Sequence, residues 1–451
     1  MTYFIQARIT PNEGNESKKL VASAFAVCIS NAKSEIGAIS QARYHINQYD
    51  WVFGEITDGP ILVDESDFAE RDIGLELYRT AIRTGFSFHI IGVAIDGKER
   101  APREIRIDGD IPMSQLLEVE KRARTQGECL HFDSGENCTN VIYAHSIQKK
   151  STLSSICDDS NHVLMRYSDA ARIRKNGGKI PFRRIGIKEA SVFRGFCSYH
   201  DNQLFEPIDN SPFHPDPRLA TLIAYRSICK EIIAKKYMIR VEEQFSELHE
   251  KNKATRNLFQ SYALGGKIGL AMLEEHKIEF DDMLETENYQ NIRCTMFSMS
   301  GAPFFACSTS FFPDYGFSGE VIQNRKDFSY CHGLIACNTV ATNDGWALLF
   351  IWHATSDFAC IPFINSMRSA FREKKYSISN YIAHFLFSSF ENLAISPSWF
   401  NSLDGFQRDM LNDIMTENAG PFDPLDSSYL KNPKCGFIDL KISGITDFPT
   451  Q

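Results

Sequence analysis

Two short pairs of metal-ligating residues, set far apart in the chain, constrain this sequence more than anything else in it. The first pair is Cys129 and Cys138, in GECLHFDSGENC, with Gly135 between them to permit a turn. The second is Cys197 and His200, in FRGFCSYHDNQLF. Zinc binds four thiolate or imidazole ligands tetrahedrally, and two pairs brought together by a small fold meet that need. If all four reach one ion, the whole segment between them must loop back on itself. The C-x2-H spacing is standard, and the eight residues inside the first pair make a wide spacing. Cys157 and His131 are spare ligand candidates. The alternative is two unrelated pairs in a loop-rich segment.

Cysteine usage supports the metal reading. Most of the twelve cysteines stand alone in apolar runs, such as Cys28 in AFAVCIS and Cys337 in LIACNTV. Such cysteines are buried small hydrophobes. The N-terminal MTYFIQARITPNEG has no basic segment followed by an apolar run, so it does not read as a secretory signal. A reducing, cytoplasmic setting then favours metal over disulfide for clustered cysteines. No run of eighteen apolar residues marks a membrane span. The net charge of -9 excludes a general polyanion binder. The charge is uneven, however. From Arg166 to Arg194 nine Lys/Arg face only Asp169 and Glu189, a local +7 that leaves -16 on the rest.

Hydrophobic periodicity divides the 451 residues into several regions and an α+β, multidomain class. Residues 1–105 alternate strands and helices and are expected to form a ferredoxin-like α/β unit. YFIQARI, LVASAFAVCI, WVFGEI and FSFHIIGVAI are its strands. SEIGAISQARYHINQY is a helix with Ile36, Ile39, Ala42 and Ile46 at helical spacing. Residues 120–210 form the cysteine/histidine module. Residues 215–420 are strongly helical at first, with a break expected at Gly265-Gly266. An antiparallel sheet follows, with Asn343-Asp344-Gly345 as a hairpin turn. Residues 421–451 read as an irregular tail. The histidines His45, His89, His332, His353 and His384 read as core residues, and FENLAISPSWF suggests an interaction edge around Glu391-Asn392.

The central residues resemble a known family. A cysteine pair, a strand ending in Ala-His (VIYAHSIQ), a loop, and F-C-x-x-H-D-x-x-L-F opening a helix resemble the treble-clef, ββα form of the HNH endonucleases. The resemblance covers about residues 129–205. It implies that Cys129, Cys138, Cys197 and His200 bind a structural zinc. It implies that His145 activates water. Asp201 stands where the family places its last histidine, a ligand of a catalytic divalent ion, and a carboxylate is competent for Mg2+ or Mn2+. The family's middle asparagine, which orients the general base, is absent from its usual place, and Asn161 in DDSNHVL is the nearest candidate. The implied chemistry is metal-assisted phosphodiester hydrolysis, in which a histidine deprotonates water and the ion stabilises developing charge. Such modular nucleases often act in bacterial defence and conflict systems.

Each residue also has a plainer reading. His145 also fits a core histidine at a strand end. Asp201 also fits a first-turn carboxylate, which the helix dipole favours. Arg172, Arg174, Lys175, Lys179, Arg183 and Arg184 form either a phosphate-contacting loop, with Gly177-Gly178 admitting close backbone approach, or a solvated basic loop. Two functions therefore compete. One is a zinc-containing HNH-like nuclease acting on nucleic acid. The other is a non-catalytic, zinc-stapled binding or regulatory protein with protein partners on the outer domains. His145 and Asp201 discriminate them: a nuclease needs both facing one open site.

Overall fold

The computed structural model describes the chain except residues 14, 16–17, 19–20, 69–71, 95–112, 167–181, 250–252, 326, 373–375, 417–426, 428 and 450–451. It is a mixed α+β protein with two main sheets, both antiparallel throughout.

The N-terminal sheet contains β1 (Thr2–Pro11), β2 (Val21–Asn31), β3 (Trp51–Leu62) and β4 (Phe86–Ala94), in the order β3-β1-β2-β4. Two helices connect them, α1 (Glu35–Gln48) and α2 (Asp72–Thr84). Ser34 caps α1, its hydroxyl accepting from the Gly37 N–H at 3.1 Å. Of the expected stripe of α1, Ala42 and Ile46 are buried and Ile39 packs against the same core, while Ile36 is 72% exposed and Ala38 takes its place on the inward face. Alternation along the strands places Tyr3, Ile5, Ala26 and Cys28 under α1 and Phe4 and Ile29 under α2. The helices thus cover opposite faces of the sheet. The connection order is β-β-α-β-α-β. A ferredoxin-like unit runs β-α-β-β-α-β with both helices on one face, so the ferredoxin-like expectation fails. The cause is the long β1–β2 hairpin, which pairs at once and sends each later strand to an outer edge.

After α3 (Met113–Thr125), a second sheet of eight strands runs β14-β9-β12-β11-β10-β13-β6-β7. Its members are β6 (His162–Arg166), β7 (Phe182–Gly186), β9 (Ile292–Met299), β10 (Phe305–Phe311), β11 (Ile335–Thr342), β12 (Gly345–His353), β13 (Leu393–Ile395) and β14 (Ile442–Phe448). The expected hairpin is present, with Gly345 at φ 145° and β11 paired with β12. The sheet crosses the boundaries read from composition. β6 and β7 come from the cysteine/histidine region, and β13 joins them to β10. β14 comes from the segment expected to be irregular and pairs along β9.

Period two sorts β12 cleanly. Trp346, Leu348, Phe350 and Trp352 face α7 (Asp357–Arg372) and α8 (Ile378–Ser389). Ala347, Leu349 and Ile351 face the helical hairpin of α5 (Pro217–Leu248) and α6 (Lys253–Glu285). No break occurs at Gly265-Gly266. A Cβ on Gly266 would come within 2.5 Å of Met238 and 2.8 Å of Ile239, so this glycine lets α5 and α6 approach closely. Of the core histidines, His384 is 1% exposed and bonds the Tyr429 carbonyl at 3.0 Å. Among the described residues no helix is long and apolar enough to cross a membrane.

Candidate metal centre

The centre forms where a loop runs beside the start of a helix. The helix is α4 (Ser198–Asp209), and Cys197 is its N-cap residue. The Cys197 sulfur accepts from the His200 N–H at 3.5 Å, so one atom both caps the helix and faces the site. His200 lies one turn on, on the same face. The loop is held alongside by main-chain bonds: Leu130 N to Gly195 O at 2.8 Å, Ile142 N to Phe196 O at 3.0 Å, and Ser198 N to Asn140 O at 3.1 Å. Between the two loop cysteines Gly135 takes φ 107°, and its N–H donates to the Cys138 sulfur at 3.4 Å. A two-residue ladder joins β5 (Ala144–His145) to β8 (Val192–Phe193). From below, the Tyr225 hydroxyl of α5 donates to the Leu130 carbonyl at 2.8 Å.

This scaffold brings Cys129, Cys138, Cys197 and His200 together, with all four ligand atoms within 4.8 Å of one another. His200 Nδ1 lies 3.4, 3.5 and 3.3 Å from the sulfurs of Cys129, Cys138 and Cys197. Tetrahedral bonds of the usual zinc–sulfur and zinc–nitrogen lengths put S and N about 3.5 Å apart. The edges therefore suit a tetrahedral ion, and the group could hold a metal such as zinc. Burial pushes the Cys129 thiol up to about 11. Burial also raises Cys197, but the N–H groups of His200 and Thr139 and the Thr139 hydroxyl outweigh it and bring that thiol to about 6. A bound cation requires the thiolate forms. The spare candidates stay outside the group. His131 stacks on the His200 ring at 4.1 Å and 9°, and its Nδ1 accepts from the Asp133 N–H at 3.0 Å. Burial, with His200 alongside, lowers His131 to about 4. It backs the ligand ring as a neutral imidazole. Cys157 bonds the Ser154 carbonyl.

Of the three residues with implied catalytic roles, His145 and Asp201 are half-buried and Asn161 is exposed. His145 Nε2 bonds the Ile187 carbonyl at 2.9 Å, and burial lowers its basicity. The Ile187 N–H in turn donates to the Asn161 carbonyl at 2.9 Å, so one residue links His145 and Asn161. Asn161 sits in a turn at φ 59°. Asp201 lies in the first turn of α4, where burial raises its carboxyl and one oxygen has no hydrogen-bond partner. His145 and Asp201 share Arg226 and Asp209 as charged neighbours. Among the described residues, no second group of three or more His, Cys, Asp or Glu is close enough to hold an ion.

Of the basic residues, Arg172, Arg174, Lys175 and Lys179 lie outside the described residues. Arg183 is exposed on β7. Arg184 donates to Asp158 at 2.6 and 3.0 Å, so its charge is engaged within the chain.

Sequence reasoning missed Arg226. It is 2% exposed, pairs bidentately with Asp209, and stands 4.0 Å over the Phe205 ring. A charge inside the apolar stripe of LIAYRSIC was the available signal. No protein-family model, curated protein or solved structure matches the chain.

Proposed function

We propose that this is a zinc protein with a treble-clef module, in which the ion is a structural staple and the module serves binding or regulation. The carrying observation is the closed donor set. Three thiols and one imidazole occupy all four corners, and a catalytic zinc keeps one corner for water or substrate. A polar cleft of about 280 Å3 opens beside His131 and His200, against Tyr199 and Arg218. It gives a binding role a place to act. Protein partners on the outer regions are part of this reading.

A second reading, an HNH-like endonuclease acting on nucleic acid in a bacterial defence system, has its own support. His145 and Asn161 meet at Ile187, and His145 and Asp201 share two charged neighbours. In that reading His145 takes a proton from water, Asn161 orients it, and Asp201 holds Mg2+ or Mn2+. Arg183 and the basic residues before it contact phosphates. The His145 Nε2 bond leaves Nδ1 as the acceptor and is compatible with this reading. The burial that raises the Asp201 carboxyl, which a bound cation needs ionised, places it second.

The experiment is a cleavage assay on plasmid DNA and structured RNA with Mg2+ or Mn2+, comparing wild type with His145→Ala, with zinc content measured on both. No cleavage by either protein, with about one zinc bound, supports the staple. Cleavage by wild type that His145→Ala abolishes while retaining zinc would overturn it in favour of the nuclease.

A further inference from the structure

A second site lies at the outer edge of the large sheet. One wall is a single face of α7, where Ile361, Ile364, Asn365 and Arg368 follow the three- and four-residue spacing of one helical stripe. The opposite wall is set by strand register. Trp352 of β12 pairs with Arg293 of β9, and Asp447 of the edge strand β14 pairs with Thr295. These positions fall on the sheet face that α7 covers. Between the walls is a cavity of about 390 Å3, within the range of small-molecule pockets.

Its charges point to an anion. Arg293 Nη1 donates to the carbonyls of Gln290 and Ile292 at 2.9 and 3.0 Å, which fixes the side chain. Arg293 Nε is buried without a hydrogen-bond partner, and the nearest carboxylate, Asp357, is 3.8 Å away. Asp357 is already the acceptor for the Trp352 indole at 2.7 Å. Arg368 Nη2 donates to Asp447 Oδ1 at 2.6 Å, and Thr295 donates to the same oxygen at 2.7 Å. The Nε and Nη1 of Arg368 have no partner among the described residues. Arg293, paired with Asp357 at 3.8 Å, and Arg368, paired with Asp447, thus both line the cavity, and the donors left open to a ligand are those of Arg368. Guanidinium forks suit planar oxyanions better than any other side chain does. Trp352, Ile361 and Ile364 supply the apolar remainder.

We propose that this cavity binds a small organic oxyanion, a carboxylate, sulfonate or phosphate monoester on a flat apolar body. The guanidinium of Arg368 takes the oxyanion, Arg293 adds its charge from the sheet wall, and the facing side chains of Trp352 and Ile364 take the body between them. The site shares no lining residue with the metal centre's cleft. It stands independently of the staple and nuclease readings.

The test uses 1-anilinonaphthalene-8-sulfonate and its uncharged counterpart N-phenyl-1-naphthylamine, titrated into the full zinc-loaded chain. The sulfonate should bind at least tenfold more tightly than the uncharged dye. Arg368→Gln and Arg293→Gln should each weaken the sulfonate at least tenfold and leave the uncharged dye unchanged. Asn365→Trp should fill the cavity and abolish binding of both. Far-UV circular dichroism and zinc content report folding. If Arg293→Gln misfolds, because Arg293 also ties down two carbonyls, the more exposed Arg368 and Asn365 still decide. Equal affinity for the two dyes, or sulfonate binding unchanged in Arg368→Gln and Asn365→Trp, overturns the proposal.

Discussion

The ion pair between Asp209 and Arg226 has two ends in very different surroundings, and that asymmetry can be measured. The two guanidinium nitrogens lie 2.7 and 2.8 Å from the two carboxylate oxygens. The arginine side chain is 3% exposed and the aspartate 36%. Asp209→Ala therefore strands a buried cation. Breaking a fully buried pair costs ~3–5 kcal/mol. Here water can reach the vacated side, so we expect about 2–3 kcal/mol. Arg226→Met removes the cation and keeps most of the volume, and the carboxylate left behind is solvated. Asp201 loses a cationic neighbour too, but burial already drives its carboxyl toward the neutral form. The expected cost is about 1 kcal/mol, chiefly the lost contact with Phe205. The double variant should match Arg226→Met alone, a coupling of roughly 2 kcal/mol. Urea unfolding of the zinc-loaded protein, followed by tryptophan fluorescence and by circular dichroism, reads these differences from the midpoint at constant slope. Equal losses in the two single variants, with an additive double, would falsify the argument from burial.

Glu242 and His276 both titrate above their ordinary values and make the same sign of pH dependence in different windows. Glu242 on α5 is raised to about 7 by burial. The folded state therefore holds its proton after the unfolded state has released it, so stability falls as pH rises from the ordinary glutamate value to about 7. Glu242→Gln should flatten the urea midpoint between those pH values, by roughly 1–2 kcal/mol after allowance for its partial exposure; an unchanged slope counts against its burial as the cause. His276 on α6 gives the same sign at higher pH, through bonds that favour its charged form instead of burial that favours a neutral one. Burial lowers it, but bonds to Cys331, to Glu279 at 3.0 Å and to the His332 carbonyl at 2.7 Å outweigh that and raise it to about 10. Its contribution is complete below the ordinary histidine value and is lost as pH rises toward 10. His276→Gln should remove the midpoint's decline between neutral pH and 9, and persistence of the decline would assign it to another group.

Local chemistry was legible in the sequence, and long-range pairing was not. The Cys129, Cys138, Cys197 and His200 group could be read because a zinc-type site restricts both donor type and number. The β11–β12 turn could be read because Asn-Asp-Gly chooses its backbone. Gly265-Gly266 misled for a related reason. Glycine signals either a broken helix or a close neighbour, and the side chains of Met238 and Ile239 that decide the matter lie a whole helix earlier. The place of β6 and β7 in the large sheet depends on β13, a strand of three residues with no period of its own. The ferredoxin-like expectation failed because alternating apolar positions reveal two faces to a strand but not which helix covers which. Asn392, which had no chemical role in the sequence, donates to Ser146 Oγ at 2.9 Å and to the Ser308 carbonyl at 2.6 Å. It ties the chain beside β5 to β10.

That tie makes the reach of the metal centre testable. α4 is anchored at its start by two ligands and buries Phe205 and Ile208 against α5. The Ile208 carbonyl accepts from Gln148 Nε2 at 2.6 Å, and Ser146, two residues earlier, is held by Asn392. A continuous buried path therefore runs from the Cys3His group to β10, and β13 carries β6 and β7 on β10's other edge. Structural zinc supplies ~10–16 kcal/mol of apparent binding energy in small zinc modules, far more than any one hydrogen bond on this path. Removing it should free α4 and loosen what α4 holds. After chelation, hydrogen exchange should accelerate in residues 128–145 and 192–209, and then in β6, β7 and β13. Strands β1 to β4 share no pairing with the large sheet and should keep their protection. Acceleration confined to the two ligand segments would mean that the module unfolds alone and that the shared sheet transmits nothing. Acceleration throughout β1 to β4 would mean that zinc holds the entire chain, which two separate sheets and separate cores argue against.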